Sequence, residues 1–221
     1  MKKQRRQLSP LQLAVHVGAW IPLLVLLVDY QTGGLSINPY QDAQRRTGNI
    51  ALILLILSLA VTPINTVFRK PSVLKLNRPL GLYAYMYAVI HLFIFAVLDY
   101  GLQFNLILLD VGEKRYILVG LAALILLSLL ALTSFRWWMK RMGKNWKRLH
   151  RLVYLINLLV ILHFAWAVKG DFFRLQGEVL RPLLALVVVV ILLVLRIPAV
   201  RRKFARRQPG VRPRMTSKEN I

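Results

Sequence analysis

Six long apolar stretches constrain the fold of this 221-residue chain more than any other feature of its sequence. Each approaches the roughly 20 residues that an α-helix needs to cross a hydrocarbon layer of about 30 Å. Because lipid offers the backbone no hydrogen-bond partners, helices are the expected form of every crossing segment. The stretches cover residues 11–28, 50–67, 80–98, 116–135, 152–168 and 183–197. The sequence therefore predicts an all-α integral membrane protein with six transmembrane helices, in which Pro22 and Pro63 kink or end their helices.

The distribution of charge predicts how this bundle is oriented. The formal net charge is +23, although 57% of the residues are hydrophobic. Of the 31 Lys and Arg residues, 23 lie in the N-terminal segment, in residues 68–79 and 136–151, and in the tail after residue 197. Basic loops remain on the cytoplasmic side, so both termini are predicted to be cytoplasmic. The positive charge then contacts anionic lipid headgroups, and nucleic-acid binding is not predicted.

The chain divides into three predicted regions. Residues 1–10 form a basic cytoplasmic N-terminus, residues 11–198 the transmembrane domain, and residues 199–221 a basic cytoplasmic tail that is expected to be disordered. The first apolar stretch has no small-residue cleavage site, so it is predicted to be a retained span rather than a signal peptide. No nucleotide-binding G-x-G-x-x-G unit or phosphate-binding loop is present, so electrons or substrates are expected from another protein. No internal repeat is strong enough to support an argument.

Two of the four histidines are candidates for metal ligands. The chain has no cysteine, which excludes thiolate ligands and covalent haem attachment. A histidine in a membrane often only hydrogen-bonds a neighbouring helix. However, His91 lies about 13 residues beyond Arg78 and His163 about 12 beyond Arg151, which places both roughly 18–20 Å from the same membrane surface. Two imidazoles at one depth predict the axial ligands of a low-spin b-type haem that transfers electrons.

The other two histidines, His16 and His150, leave the number of haems open. His150 precedes His163 by about 13 residues, so it lies near the cytoplasmic surface and could bind a second haem iron, with His16 as a candidate partner. Thirteen residues at about 100° each leave the two side chains about 140° apart, so such a site requires a bulge or an irregular helix start. The alternative is that His150 only caps a helix or forms a hydrogen bond at the interface.

Aromatic and basic residues mark the predicted membrane boundaries. Trp137, Trp138 and Trp146 fall at the cytoplasmic boundary and Trp166 near the outer one, as expected for interfacial belts. The basic residues between 136 and 151 fit the same orientation rule. They are also candidates to hold haem propionates or a flavin phosphate, and the sequence does not separate these uses.

The sequence resembles the MsrQ family, formerly YedZ. The resemblance includes Thr133-Ser, Gly143-Lys-x-Trp146, Leu149-His150-x-x-Val-Tyr154, and the two deep histidines His91 and His163. It extends over nearly the whole chain through His16 followed by Pro22, Gly33-Gly34-Leu35, Asn38-Pro39, Thr47-Gly48, Thr62-Pro63 and Gly81-Leu82. Each motif is weak alone, but together they are specific. The family is itself related to the transmembrane domains of ferric reductases and NADPH oxidases.

The resemblance implies a function in electron transfer. It implies a haem-binding subunit of the bacterial inner membrane that takes electrons from the quinone pool or from a flavin reductase. A periplasmic molybdopterin subunit would receive them in a heterodimer and reduce methionine sulfoxide in oxidised proteins, so no catalytic residue is expected in this chain. The resemblance also implies haem b and FMN as cofactors, with His91, His150 and His163 as the haem histidines.

Two alternatives remain at this point. A stand-alone ferric or quinone reductase of the same fold would differ only in its electron acceptor. A small membrane transporter would be expected to carry carboxylates inside its spans or broken helices around a cavity, whereas the acidic residues here lie in loops and at segment ends.

Overall fold

A computed structural model describes residues 9–168, 170–171 and 176–200. Its described part is almost entirely helical, which confirms the all-α prediction, apart from one antiparallel pair of two-residue strands. Most of the predicted N-terminal region and tail lie outside the described residues. The elements are α1 (Pro10–Thr32), α2 (Pro39–Phe68), a 3-10 helix (Pro71–Leu76), α3 (Asn77–Phe93), a π-helix (Ile94–Asp99), α4 (Phe104–Glu113), α5 (Arg115–Leu132), α6 (Arg136–Met142), α7 (Lys144–Leu149), α8 (Leu152–Ala167), β1 (Gly170–Asp171), β2 (Gln176–Gly177) and α9 (Leu180–Val194).

Five helical stretches in the described residues are long and apolar enough to cross a membrane. They are Pro10–Thr32, Pro39–Phe68, Pro71–Asp99, Arg115–Leu132 and Lys144–Ala167. The sixth predicted span corresponds to α9, which is apolar but has only 15 residues. A helix of that length rises about 22 Å, which is less than the hydrocarbon thickness of about 30 Å. The sixth crossing therefore stays a prediction.

The second helix begins much earlier than the hydropathy pattern predicts. It starts at Pro39 rather than at residue 50, because the Asn38 side chain accepts a hydrogen bond of 3.1 Å from the backbone N–H of Gln41. The charged segment that precedes the apolar stretch of residues 50–67 is therefore also helical. Arg46 forms ion pairs with Asp42 at 3.0 Å and with Asp29 of α1 at 2.5 Å, so these charges are compensated within the bundle.

Pro22 and Pro63 lie inside α1 and α2, so neither proline ends its helix, and of the two predicted effects only a kink stays a prediction. Proline has no N–H to donate to the carbonyl four residues earlier, which for Pro63 is that of Leu59. Arg196, just beyond α9, donates to this carbonyl at 2.6 Å and to the Tyr154 hydroxyl at 2.9 Å. A distant side chain therefore supplies the hydrogen bond that the proline removes.

Two long helix pairs form the centre of the bundle. Helix α2 packs along α3, and α5 packs along α8. The main cluster of buried side chains joins both pairs, with Leu55 of α2, Ala84 and Tyr87 of α3, Leu127 of α5 and Ile156 of α8. The Tyr87 hydroxyl donates to the Ala19 carbonyl at 2.7 Å and so connects α1 to the same core. This packing fixes the mutual positions of α3 and α8, which carry His91 and His163.

The short helix α4 is tied to the end of the preceding segment by a polar network. The Tyr100 hydroxyl and the Lys114 ammonium both donate to the Asp110 carboxylate. Burial, together with the hydrogen bond to Asp110, raises the pKa of Tyr100 to about 12. The hydrogen bonds from Lys114 and Tyr100 lower the pKa of Asp110 below its usual value. Asp110 is therefore ionised and Tyr100 neutral around pH 7.

Candidate functional site

The rings of His91 and His163 lie next to each other in the bundle. Their centroids are 6.1 Å apart and their planes are inclined by 88°. Their side chains come from α3 and α8, which the shared core holds side by side. The depth argument from the sequence predicts such a pair, and the fold brings the two rings together.

Each of these rings uses its Nδ1 atom in a hydrogen bond to a backbone carbonyl. The Nδ1 of His91 lies 2.8 Å from the Gln44 carbonyl oxygen in α2. The Nδ1 of His163 lies 2.7 Å from the Tyr116 carbonyl oxygen in α5. A carbonyl oxygen can only accept, so Nδ1 carries the proton in both rings. In each neutral ring the lone pair is therefore on Nε2, the nitrogen that remains for a metal.

A glycine lies against each of the two rings. Gly48 follows Gln44 by four residues, and Gly120 follows Tyr116 by four residues. A Cβ atom on Gly48 would lie 3.1 Å from the Nδ1 atom of His91, and one on Gly120 would lie 2.6 Å from that of His163. The rings therefore occupy the space that any other residue would fill with its side chain.

These contacts reveal an internal repeat that the sequence analysis did not identify. Gly48 precedes His91 by 43 positions, and Gly120 precedes His163 by the same number. The pattern Gly-x-x-Ala-Leu-Ile-Leu-Leu-x-Leu occurs at both 48–57 and 120–129. A leucine-rich match alone is weak evidence for a repeat in a membrane protein. The repeat is identified by the contacts, because both copies hold a histidine in the same way.

The separation of the two ring centroids is close to that of two imidazoles that share one metal ion. A metal–imidazole bond is about 2.0–2.1 Å long, and with about 1.1 Å from the nitrogen to the ring centre, two such ligands place the centroids about 6.3 Å apart. The observed separation is 6.1 Å. The described residues contain no group of three or more His, Cys, Asp or Glu suited to a metal ion. Two protein ligands are what an iron already held by a porphyrin requires.

Comparison with known proteins identifies related membrane proteins. The family described as "Ferric reductase like transmembrane component" matches residues 47–162. A Bordetella pertussis protein is 40% identical over 166 residues, which cover 75% of this chain and 78% of that protein. A Yersinia pseudotuberculosis protein is 36% identical over 171 residues, which cover 76% of this chain and 84% of that protein. Both relatives are named "Protein-methionine-sulfoxide reductase heme-binding subunit MsrQ".

The chain belongs to the MsrQ family. The region that matches the ferric-reductase-like description includes Gly48, His91 and His150, and it ends one residue before His163. Five apolar helices and this match identify the chain as a multi-pass membrane protein.

In this MsrQ-family chain, His150 makes its contacts at the other end of α8. Its Nε2 atom lies 3.2 Å from the Thr133 hydroxyl, and its ring packs on Trp146 with the centroids 4.1 Å apart. Trp146 in turn donates to the Thr133 carbonyl at 2.9 Å. The backbone is irregular here, since α7 ends at Leu149 and α8 begins at Leu152. Such an irregular helix start is the feature that a second haem site at His150 would require. Yet these contacts match the alternative prediction, a hydrogen bond at the interface.

His16 of this MsrQ-family chain is also engaged with a neighbour. Its Nδ1 atom lies 2.8 Å from the Tyr83 hydroxyl, and the two rings meet edge to face with centroids 5.6 Å apart. These contacts connect α1 to α3. The structure therefore gives His16 a packing partner other than His91 or His163.

The basic segment of this MsrQ-family chain precedes α8, the helix that carries His163. Arg148 lies in α7, which is separated from α8 by the irregular backbone at residues 150–151. At the level of α6, Arg141 lies over the Trp137 ring with 5.1 Å between the guanidinium carbon and the ring centroid. The basic residues between 136 and 151 stay candidates to hold haem propionates or a flavin phosphate.

Proposed function

We propose that this chain holds one b-type haem between His91 and His163 and carries electrons through the bacterial inner membrane to a methionine-sulfoxide reductase. The observation that carries this proposal is the pair of rings with centroids 6.1 Å apart, each with Nδ1 hydrogen-bonded to a carbonyl. The names of the relatives, which describe haem-binding subunits of that reductase, point to the same function.

The protein's own contribution would be to hold the haem iron with His91 and His163 and to fix the orientation of both rings. When bound, the haem supplies a carrier for one electron at a time. His91 and His163 would hold the iron through Nε2, and with both imidazoles bound the haem would serve electron transfer rather than oxygen or substrate binding. The carbonyls of Gln44 and Tyr116 hold the rings in one tautomer and one orientation. Such a site is suited to electron transfer rather than to bond-making chemistry.

The position of the pair supports a periplasmic acceptor. His163 lies four residues before the end of α8 at Ala167, about 6 Å along the axis, while the start of α8 is more distant. In the proposed topology of six spans with cytoplasmic termini, this end of α8 faces the periplasm. The iron then lies close to the surface on which a periplasmic molybdopterin subunit would dock. The quinone pool or a flavin reductase is the proposed donor, and FMN rests on the family resemblance, with no residue assigned to it.

The test is a set of histidine variants of the purified membrane protein. We expect His91→Ala and His163→Ala each to abolish the low-spin b-type bands in a reduced-minus-oxidised spectrum, because each removes one axial ligand. His16→Ala should keep most of the absorbance, since its ring contacts Tyr83. Haem is extracted and quantified against protein in each case. Retention of the bands of a bis-histidine haem in either of the first two variants would contradict the proposal.

A second candidate is a stand-alone ferric or quinone reductase, which the match to the ferric-reductase-like description favours. It uses the same haem site and differs in the acceptor. The two functions are separated by mixing the reduced protein with ferric chelates or with the purified periplasmic reductase subunit, because quinones are also the proposed donor in the first function and oxidation by them would not distinguish the two. Rapid oxidation by the periplasmic subunit alone supports the first function, and rapid oxidation by ferric chelates alone supports the second.

A further inference from the structure

We propose that Gly48 and Gly120 are positioning residues that leave room for the two imidazoles to hydrogen-bond to backbone carbonyls and thereby lower the redox potential of the site. This inference rests on the proposed haem site and adds to it the residues that tune it. The contacts involved are those of His91 with Gln44 and Gly48, and of His163 with Tyr116 and Gly120.

The position of each glycine follows from helix geometry. In an α-helix the carbonyl of one residue accepts a hydrogen bond from the N–H four residues later. A second donor from a neighbouring helix must then approach that carbonyl past the side chain of the later residue. Gly48 stands four residues after Gln44, and Gly120 four residues after Tyr116. Glycine has no side chain at this point, so an imidazole can reach the carbonyl and share it with the helix.

The distances show that this approach depends on glycine. A Cβ atom at Gly120 would lie 2.6 Å from Nδ1 and 2.8 Å from Cε1 of His163. At Gly48 the corresponding distances to His91 are 3.1 and 3.2 Å. By contrast, the nearest atom to a Cβ on Gly81 in α3 is the Ser58 hydroxyl at 3.9 Å. A methyl group is therefore tolerated at Gly81, tight at Gly48 and excluded at Gly120 unless His163 moves.

The hydrogen bond at Nδ1 affects the iron through the ring. An imidazole whose N–H donates to a strong acceptor is a more basic ligand. A more basic ligand stabilises the ferric state relative to the ferrous state, so the reduction potential falls. A methyl group that lifts the ring from its carbonyl weakens this hydrogen bond. The same change therefore weakens haem binding and raises the potential.

The experiment compares Gly48→Ala, Gly120→Ala and the matched control Gly81→Ala in the full-length membrane protein. Haem per protein, the reduced-minus-oxidised spectrum and the midpoint potential are measured for each. We expect Gly120→Ala to lose most of its haem or its low-spin bands. Gly48→Ala should keep the bands, with a higher midpoint potential and haem affinity lower by about 10–100-fold, as for other changes behind a metal ligand. Gly81→Ala should match the wild type in all three measurements.

A further variant covers the case in which Gly120→Ala does not fold. His163→Gly leaves a space that free imidazole or 1-methylimidazole can enter as a ligand. Only imidazole has an N–H to donate to the Tyr116 carbonyl. The site filled with 1-methylimidazole should therefore have the higher potential.

The outcomes separate this inference from the proposed function. A wild-type protein without haem, expressed with haem available, contradicts the proposed function itself. Wild-type potentials in Gly48→Ala and Gly120→Ala, or equal potentials with the two added ligands, overturn the role of the glycines while the haem site stands. A shift of the same size in Gly81→Ala would also overturn it.

Discussion

The four histidines differ in the kind of group that each one contacts. His91 and His163 are held by carbonyl oxygens, which accept but cannot donate, so the tautomer of each ring is determined. His16 and His150 are held by hydroxyl groups of Tyr83 and Thr133, which can donate or accept. In His150 the nitrogen in contact is Nε2, the atom that the paired histidines leave available for iron. These contacts favour a structural role for His150.

At this scale we predict that His150→Ala retains the haem content and the b-type bands of the wild type. The substitution should instead lower the unfolding temperature of the detergent-solubilised protein, because Thr133 and Trp146 no longer contact the His150 ring. Thr133→Val is the matched control, since it removes the hydroxyl that contacts Nε2 and should lower the unfolding temperature without loss of haem. Loss of half of the haem in His150→Ala would show instead that it binds a second iron, as the family resemblance implies.

At the scale of the helices, the pairing of Pro63 with Arg196 explains how α2 continues past a proline. A guanidinium beside the Leu59 carbonyl replaces the missing backbone donor, and the same group contacts the Tyr154 hydroxyl and ring. Three helices are thereby joined near one end of the bundle. An arginine next to a membrane segment is costly unless its donors have acceptors, and here two of its nitrogens have them.

This pairing predicts a coupling between two distant positions. We expect Arg196→Met to lower the free energy of unfolding by about 1.5–3 kcal/mol, the usual value for a hydrogen bond to a charged group. In a Pro63→Ala background the backbone N–H of residue 63 can bond to the Leu59 carbonyl, so the same change should cost less. A double-mutant cycle of thermal or denaturant unfolding measures the difference, expected at about 0.5–3 kcal/mol. Additive effects would mean that Arg196 does not replace the proline's missing donor.

At the scale of the whole molecule, the number of membrane crossings depends on α9. Five helical stretches meet the length and composition for a span, and α9 is apolar but short. A short apolar helix can still cross if the bilayer thins locally or flanking polar residues reach the interface. An even number of crossings places the two termini on the same side of the membrane, and an odd number places them on opposite sides.

We predict that α9 crosses and that both termini are cytoplasmic, because the excess of Lys and Arg lies at the ends and in the alternate loops. A fluorescent protein fused after Ile221 should be fluorescent, as expected in the cytoplasm. A periplasmically active phosphatase inserted after Gly101 should be active, and one inserted after Gly143 should be inactive. Phosphatase activity at the C-terminus, with no fluorescence there, would show that α9 stays on one side of the membrane.

The sequence by itself predicted the all-α fold class, the approximate positions of the five long apolar helices, and His91 and His163 as a pair. These properties depend on local quantities, namely hydropathy along a segment and the rise per residue of a helix. The sequence did not predict the start of α2 at Pro39. The segment before residue 50 is rich in charged residues and therefore has the composition of a loop, and only the structure shows that Arg46 is paired with Asp29 and Asp42.

Only the tertiary structure decided which helix faces meet. The rotation of each helix about its own axis, and the choice of its neighbours, come from packing in the shared core rather than from the length of any segment. Three findings depend on that packing: the contact of His163 with Gly120, the contact of His150 with Thr133, and the hydrogen bond from Arg196 to Leu59. Each joins residues that are far apart in the sequence, where no local pattern records the partner.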